Sequence, residues 1–260
     1  MRLSHSLGQV FLTEKNYIQK IINSLVIEDE IVLEIGSGPG EISAAIGKRC
    51  KFLYCVEFDP RFVSVLEQKF KNKRNVRVIH SDILKFNLSE RNERLVIFGN
   101  VPYQISNSLI SYLIDNRTFI KKAYLTFQKE FVDKLIAETG NKDYGFLSCF
   151  IQYYAGIEKN FDIPRGAFTP VPKIDSSFIS LDFYDEPQDA AEDENLLIRI
   201  IREAFNQRRK KISNSLSKFI ASDDFFSSLK VDPNARAENV SLKEYVDIAN
   251  KVYKERLKNR

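Results

Sequence analysis

The chain is poor in the residues that metal centres and disulfide frameworks require. It holds three cysteines and two histidines in 260 residues. Cys50, Cys55 and Cys149 show neither paired metal-ligand spacing nor a disulfide pattern, and Cys55 and Cys149 sit in apolar runs, as small core residues do. That usage points to a reducing compartment. His5 and His80 supply no zinc site and no acid–base triad. Long apolar runs are missing too, since nothing approaches the roughly 18 residues needed to span a bilayer. Charge bias is slight: the formal net charge is +4 and the pI about 8.8. A balance that mildly basic permits a nucleic-acid partner without demanding one. Internal repeats and low-complexity tracts are absent. With 43% hydrophobic residues the chain can bury a substantial core, as one large domain or a domain with an appendage.

What is present is a series of short strands whose ends carry chemistry. Ile31-Val32-Leu33-Glu34-Ile35 is mostly apolar and β-branched, as a buried parallel strand is. It runs into Gly36-Ser37-Gly38-Pro39-Gly40, and Glu41–Lys48 then reads as helix. Glycines there allow a tight turn and close backbone approach to a ligand. The G-x-G-x-G spacing leans away from the dinucleotide fingerprint G-x-G-x-x-G. A second strand, Phe52–Val56, is followed at once by Glu57, 21 residues after Gly36, where an acid can accept both ribose hydroxyls. Asp59 competes for that role, but Asp59-Pro60 reads better as the cap and first turn of a helix over 61–70. The third strand, Val76–His80, delivers Asp82, able to accept from an adenine amino group, and Ile83, able to pack on the ring. Any one acid at a strand end is commonly just solvated. Several in series point to one ligand lying across the carboxyl ends of a parallel sheet.

A fourth strand, Leu95–Phe98, leads into Asn100-Val101-Pro102-Tyr103. An exocyclic adenine amine is a weak nucleophile because its lone pair is delocalised into the ring. To attack a methyl sulfonium it must be gripped by acceptors that turn the lone pair toward the methyl group. Asn100 offers a side-chain carbonyl and the peptide before Pro102 a second one. Pro102 holds the turn and biases Val101 toward extended backbone. Tyr103 presents a flat ring on which an extruded base can lie. The same four residues would also serve as an ordinary turn after a strand.

These motifs resemble those of the ribosomal RNA adenine N6-dimethyltransferases, and the resemblance covers nearly the whole chain. Leu7–Leu12 is similar to the family's G-Q-x-F-L segment, which closes over S-adenosylmethionine. Val10 stands where the family usually has Asn or His, so a backbone contact survives there and a side-chain hydrogen bond does not. The resemblance implies cofactor contacts at Val10, Leu12, Gly36, Gly38, Glu57, Asp82, Ile83 and Asn100. It implies that Asn100, Pro102 and Tyr103 form the N-[LIV]-P-Y catalytic motif. Phe168, in the F-x-P-x-P-x-V-[DN]-S-like run Phe168–Ser176, is expected to cover the target adenine opposite Tyr103. Phe205–Leu216 resembles the F-x-Q-R-R-K-x-x-x-N-S-L signature of the small-subunit enzymes, and Arg236-Ala237-Glu238 continues it. The basic run Arg208, Arg209, Lys210 and Lys211 is the expected RNA contact, against the plain alternative of a solvated helix face.

The fold implied is α/β: a Rossmann-like class I methyltransferase sheet over 1–184, an acidic linker near 184–195, and a small all-helical domain over 185–260. Ile151–Ile157 and Ser177–Phe183 read as later, antiparallel strands. Leu196, Leu197, Ile200, Ile201, Ala204 and Phe205 form one helical stripe, Asp223–Leu229 reads as helix, and Ser241 with Glu244 as a capping box for a helix over 241–256. The implied activity is transfer of two methyl groups from S-adenosylmethionine to each of two adjacent adenosines near the 3′ end of 16S RNA. The substrate expected is a pre-30S particle, and the enzyme a cytoplasmic monomer with no metal, membrane or presequence. Three other readings stand beside it. They are a large-subunit resistance methyltransferase, a DNA adenine methyltransferase, and a non-enzymatic assembly or transcription factor on the same fold.

Overall fold

The computed structural model of the protein describes residues 10–90, 93–187, 189–220 and 223–258; His5 and Leu7-Gly8-Gln9 lie outside them. The chain divides into two compact units, one of residues up to Val132 with Gly156–Phe183, the other of Asp133–Ala155 with the stretch from Tyr184 onward.

In the first unit the elements are β1 (Phe11–Leu12), α1 (Lys15–Ser24), β2 (Ile31–Ile35), α2 (Glu41–Ile46), β3 (Phe52–Glu57), α3 (Pro60–Phe70), β4 (Val76–His80), β5 (Leu95–Asn100), α4 (Ser106–Asp115) and β6 (Ile120–Gln128). After α5 (Lys129–Leu135) and α6 (Phe146–Tyr154) the sheet is completed by β7 (Ala155–Ile163) and β9 (Ser176–Phe183), with the short β8 (Phe168–Thr169) between them. Seven strands run in the order β4-β3-β2-β5-β6-β9-β7. The pairings from β4 to β6 are parallel and β9 is antiparallel to β6. The chain winds outward from β2 through β3 and β4, then returns to the other side of β2 for β5 and β6. That reversal opens a crevice at the carboxyl ends of β2 and β5, where ligands of such sheets sit. This is the class I methyltransferase architecture that the family resemblance implied.

Local chemistry explains the boundaries. Asp59 caps α3, its Oδ1 accepting from the Arg61 amide at 3.0 Å, and Pro60 occupies the first turn. α1 stops at Ser24, and the carbonyls of Ile22 and Leu25 accept from the guanidinium of Arg49, the Leu25 contact measuring 2.8 Å. Separately, β1 pairs antiparallel with β8, Leu12 opposite Phe168, as a two-stranded ribbon beside the main sheet.

One strand is misplaced by sequence reading. Residues 151–154, expected to open a strand, complete α6, and the strand begins only at Ala155. Gly145 starts that helix, its amide donating to Ser148 Oγ at 3.0 Å. A short apolar run looks the same in a buried helix and a buried strand.

The second unit is built on α7 (Glu194–Asn206), the one-turn α8 (Ile212–Ser215) and α9 (Leu242–Lys258), with α7 packed against α6 and α9. The α7 stripe of Leu196, Leu197, Ile200, Ile201 and Ala204 is buried. Phe205 joins Tyr144 and Tyr245 at ring-centroid separations of 5.9 and 6.0 Å. Ser241 and Glu244 make the capping box of α9: the Ser241 amide donates to Glu244 Oε2 at 2.7 Å and the Glu244 amide to Ser241 Oγ at 3.3 Å. Of Asp223–Leu229, expected as helix, Asp223–Ser228 takes the tighter 3-10 form.

Candidate active site

The strand ends converge on one cavity of about 230 Å³. Gly36 closes β2 at φ +68°, in the left-handed region that glycine tolerates. A Cβ on Gly36 would meet nothing within 4 Å, so the backbone there faces open space. Gly38 has a different task. A Cβ on it would come within 2.6 Å of the Phe11 ring, so its lack of a side chain makes room for Phe11, which lines the cavity.

Glu57, at the end of β3, is only 6% exposed. Its Oε2 accepts from the Gly38 amide and its Oε1 from the Asp59 amide, both at 2.8 Å. Each carboxylate oxygen keeps a second lone-pair direction, so the two backbone donors hold Glu57 in one orientation while a diol can still be accepted. Asp59 lines the same cavity, but its carboxylate is taken up by α3 and by the Arg61 guanidinium, Nε to Oδ1 being 2.9 Å. That pairing favours Glu57 as the diol acceptor. Asp82 is anchored through Oδ1, which accepts from the Leu84 amide at 3.0 Å, and Ile83 is buried beside it at the cavity wall.

Asn100 ends β5. Its Nδ2 donates to the main-chain carbonyl of Val10 at 3.1 Å, which leaves Oδ1 as the open acceptor. The contact uses Val10's backbone, so a valine satisfies it as well as any residue. Pro102 lines the cavity between Asn100 and the first turn before α4. Tyr103 is half-buried, its hydroxyl 3.0 Å from Ser176 Oγ. Burial raises the phenol above its ordinary value and the Ser176 contact opposes that, so the ring stays neutral at physiological pH.

Under the glycine loop lies a buried acid, Glu34, 3% exposed. Burial pushes its carboxyl up to about 7, against the opposing pull of Ser43, Ser37 and the Cys55 thiol, whose Sγ lies 3.8 Å from Oε2.

Of the positions expected from sequence, Val10, Gly36, Glu57, Asp82, Ile83, Asn100 and Pro102 line the cavity together. Leu12 does not: it is buried in the apolar cluster with Ile21, Ile22 and Tyr124. Phe168 is likewise placed away from the crevice, 1% exposed in that same cluster. β8 sets it opposite Leu12, and its ring faces the core. Sequence reading missed Phe11, Phe58, Ser81, Leu84, Gln104 and Ile105 in the lining. Phe58 had a usable signal, a large apolar residue directly after a strand-end acid, and it is 56% exposed.

The basic run behaves unevenly. Arg208 is held inside its own unit, Nε donating to Glu238 Oε2 and Nη2 to the Lys142 carbonyl, both at 2.6 Å. Lys211 Nζ donates to Asn234 Oδ1 at 2.7 Å. Arg209 and Lys210 are exposed. Lys211 is exposed as well, so three of the four cations expected to contact RNA face outward, while Arg208 braces the fold.

Comparisons with known proteins bear on the family and the fold. The family model of ribosomal RNA adenine dimethylases matches residues 1–254. A ribosomal RNA small subunit methyltransferase A from Hahella chejuensis is 38% identical over 258 residues, covering 97% of this chain and 93% of its own. Another from Desulforapulum autotrophicum is 36% identical over 250 residues, covering 92% and 88%. Among solved structures, a dimethyladenosine transferase from Plasmodium falciparum superposes with a TM-score of 0.81 at 23% identity, over 95% of this chain and 98% of that one. The 23S rRNA methyltransferase ErmE gives 0.74 at 22% identity, over 94% and 99%. Those two likenesses speak for the fold alone. The sequence match extends through both units, and by it the chain belongs to the ribosomal RNA adenine dimethylase family.

Proposed function

We propose that this protein transfers methyl groups from S-adenosylmethionine to N6 of two adjacent adenosines near the 3′ end of 16S ribosomal RNA, dimethylating each during small-subunit biogenesis. It acts as a cytoplasmic monomer on a pre-30S particle. The observation that carries this reading is Asn100, oriented by the Val10 carbonyl at 3.1 Å, on the rim of the cavity that Glu57 and Asp82 also line.

The cavity suits S-adenosylmethionine. Glu57 has acceptor capacity for a ribose diol, Asp82 with Ile83 suits an adenine amine and ring, and the open backbone at Gly36 suits the methionine end. The bound cofactor supplies an electrophilic methyl group. The rest is done by the chain. Asn100 Oδ1 and the Val101 carbonyl accept the amine's two hydrogens and so aim its lone pair. Tyr103, neutral and tied to Ser176, offers a flat face for the base. After the first transfer one hydrogen remains, and one acceptor is enough to hold it. The nitrogen is strongly acidic once cationic, so solvent removes the proton and no dedicated base is needed. Acceleration comes from orientation and from acceptors set before the reaction begins.

The small-subunit assignment is supported by the named relatives at 36–38% identity. Label transfer to purified, unmethylated small and large subunits, with the modified position mapped, tests it. Label on the large subunit would replace the substrate, and cofactor binding without transfer to either would leave an assembly factor.

A further inference from the structure

The second unit carries a depression of about 350 Å³ where Arg199 and Arg202 of α7 and Arg256 of α9 meet Lys218 and Phe219. Positions 199, 202, 203 and 206 share one face of α7, since residues three and four apart are neighbours on a helix. That face lies opposite the buried stripe. The three arginines and Lys218 are exposed. The guanidinium carbons of Arg199 and Arg256 stand 5.9 and 5.7 Å from the centroid of Phe219, and that of Arg202 stands 4.9 Å from the centroid of Phe146. A guanidinium held over a ring keeps its N–H edge for an acceptor, and that planar fork matches phosphate oxygens.

The charge there is unbalanced. One acid, Glu203, lines the depression, and its Oε1 already accepts from Gln207 Nε2 at 2.7 Å and Lys218 Nζ at 3.4 Å. Among the described residues, Arg199, Arg202 and Arg256 form no ion pair. Guanidiniums gathered around shared rings without a carboxylate repel one another, and an external anion relieves that repulsion. The cations come from α7, α9 and the segment after α8, so they spread over more than one small anion would occupy. Arg209 and Lys210 take no part in the lining.

We propose that this depression binds the phosphodiester backbone of RNA, as a contact separate from the Arg208–Lys211 run; it rests on the reading of the protein as an RNA methyltransferase. The test uses the full chain with Arg199, Arg202 and Arg256 all changed to Gln, and a second variant with all three changed to Lys. Binding to unmethylated small subunits and to a protein-free RNA duplex is measured from about 50 to 200 mM salt, where phosphate contacts are resolved as slopes. The glutamine variant should lose roughly one unit of salt slope per phosphate contact, two to three in all, on both substrates. Its KM for methylation should rise, with kcat at saturating subunit and cofactor affinity unchanged. The lysine variant should recover most of the slope, which reports charge, while the planar fork it lacks adds affinity and not slope.

Wild-type slopes in a folded glutamine variant overturn the proposal. So does a loss seen on subunits but not on naked RNA, which would make the partner an acidic protein surface, and so does a lysine variant as impaired as the glutamine one. Because RNA binding is read without methyl transfer, a wild-type protein that binds RNA but methylates nothing would sink the proposed function and leave this site standing.

Discussion

The carboxamide of Asn100 takes its orientation from the backbone of Val10, ninety positions earlier in the chain, through an Nδ2···O contact of 3.1 Å. The donor half of the amide is thereby spent inside the protein and the acceptor half is presented at the cavity. Asn100→Ala should retain most S-adenosylmethionine affinity and lower the methylation rate by about a hundredfold or more, since an acceptor aligned with the attacking amine acts mainly in the transition state. Single-turnover methylation of small subunits at saturating cofactor measures this, and a near-wild-type rate would refute the mechanism.

Glu57 has two duties that one substitution separates into two readouts. Glu57→Ala removes the proposed ribose acceptor and should weaken cofactor binding by about 1.5–3 kcal/mol, the range for charged hydrogen bonds. It also strips the acceptor from the Gly38 and Asp59 amides. Thermal melting without cofactor should therefore fall as well. Calorimetry showing full affinity in a folded variant would move the diol to another acceptor.

Phe168 is predicted to act on the folded state. Its ring is 1% exposed, so Phe168→Ala should cost about 3–5 kcal/mol of stability through the cavity it leaves. Equal urea midpoints for wild type and variant, together with poorer capture of substrate, would instead return Phe168 to a role against the target base.

Glu34 gives the protein a pH-dependent term. Its folded carboxyl lies near 7 against an ordinary value of 4.5, so the folded state binds the extra proton between those limits. Its contribution is complete below about pH 4.5 and is lost as pH rises through 7. Glu34→Gln keeps the polar shape and cannot ionise. It should be more stable than wild type above pH 7, by up to about 3 kcal/mol from the shift, and the advantage should vanish near pH 4.5. Parallel denaturation at pH 4.5 and 8 decides it; a difference independent of pH would show that Glu34 does not titrate there.

The sheet and the acids on it were legible because parallel strands announce themselves as short apolar runs and their ends fall at a fixed level. The positions of Gly36, Glu57, Asp82 and Asn100 around one cavity follow from that geometry and were legible. Leu12 and Phe168 were not, because burial on a two-residue ribbon leaves no periodicity to read: at such a strand neighbouring residues face opposite ways, and Phe11 lines the cavity while Leu12 enters the core. Helix α6 shows the same limit, as an aromatic-rich stretch whose length alone does not separate helix from strand. The partners within the basic run were hidden for another reason. Sequence counts charges without their partners, and Arg208 is spent on Glu238.

The ribbon of β1 and β8 also sets an order of events. The Thr13 amide donates to the Ala167 carbonyl at 2.9 Å, and the register places Leu12 against Phe168. Every side chain expected at the cofactor is encoded before residue 106, yet the segment that bears Val10 is fastened by residues 167–169. A chain emerging from the ribosome therefore carries the side chains expected at the cofactor well before the strand that fastens Val10. A nascent fragment ending short of β8 holds those side chains without the strand that pairs with β1.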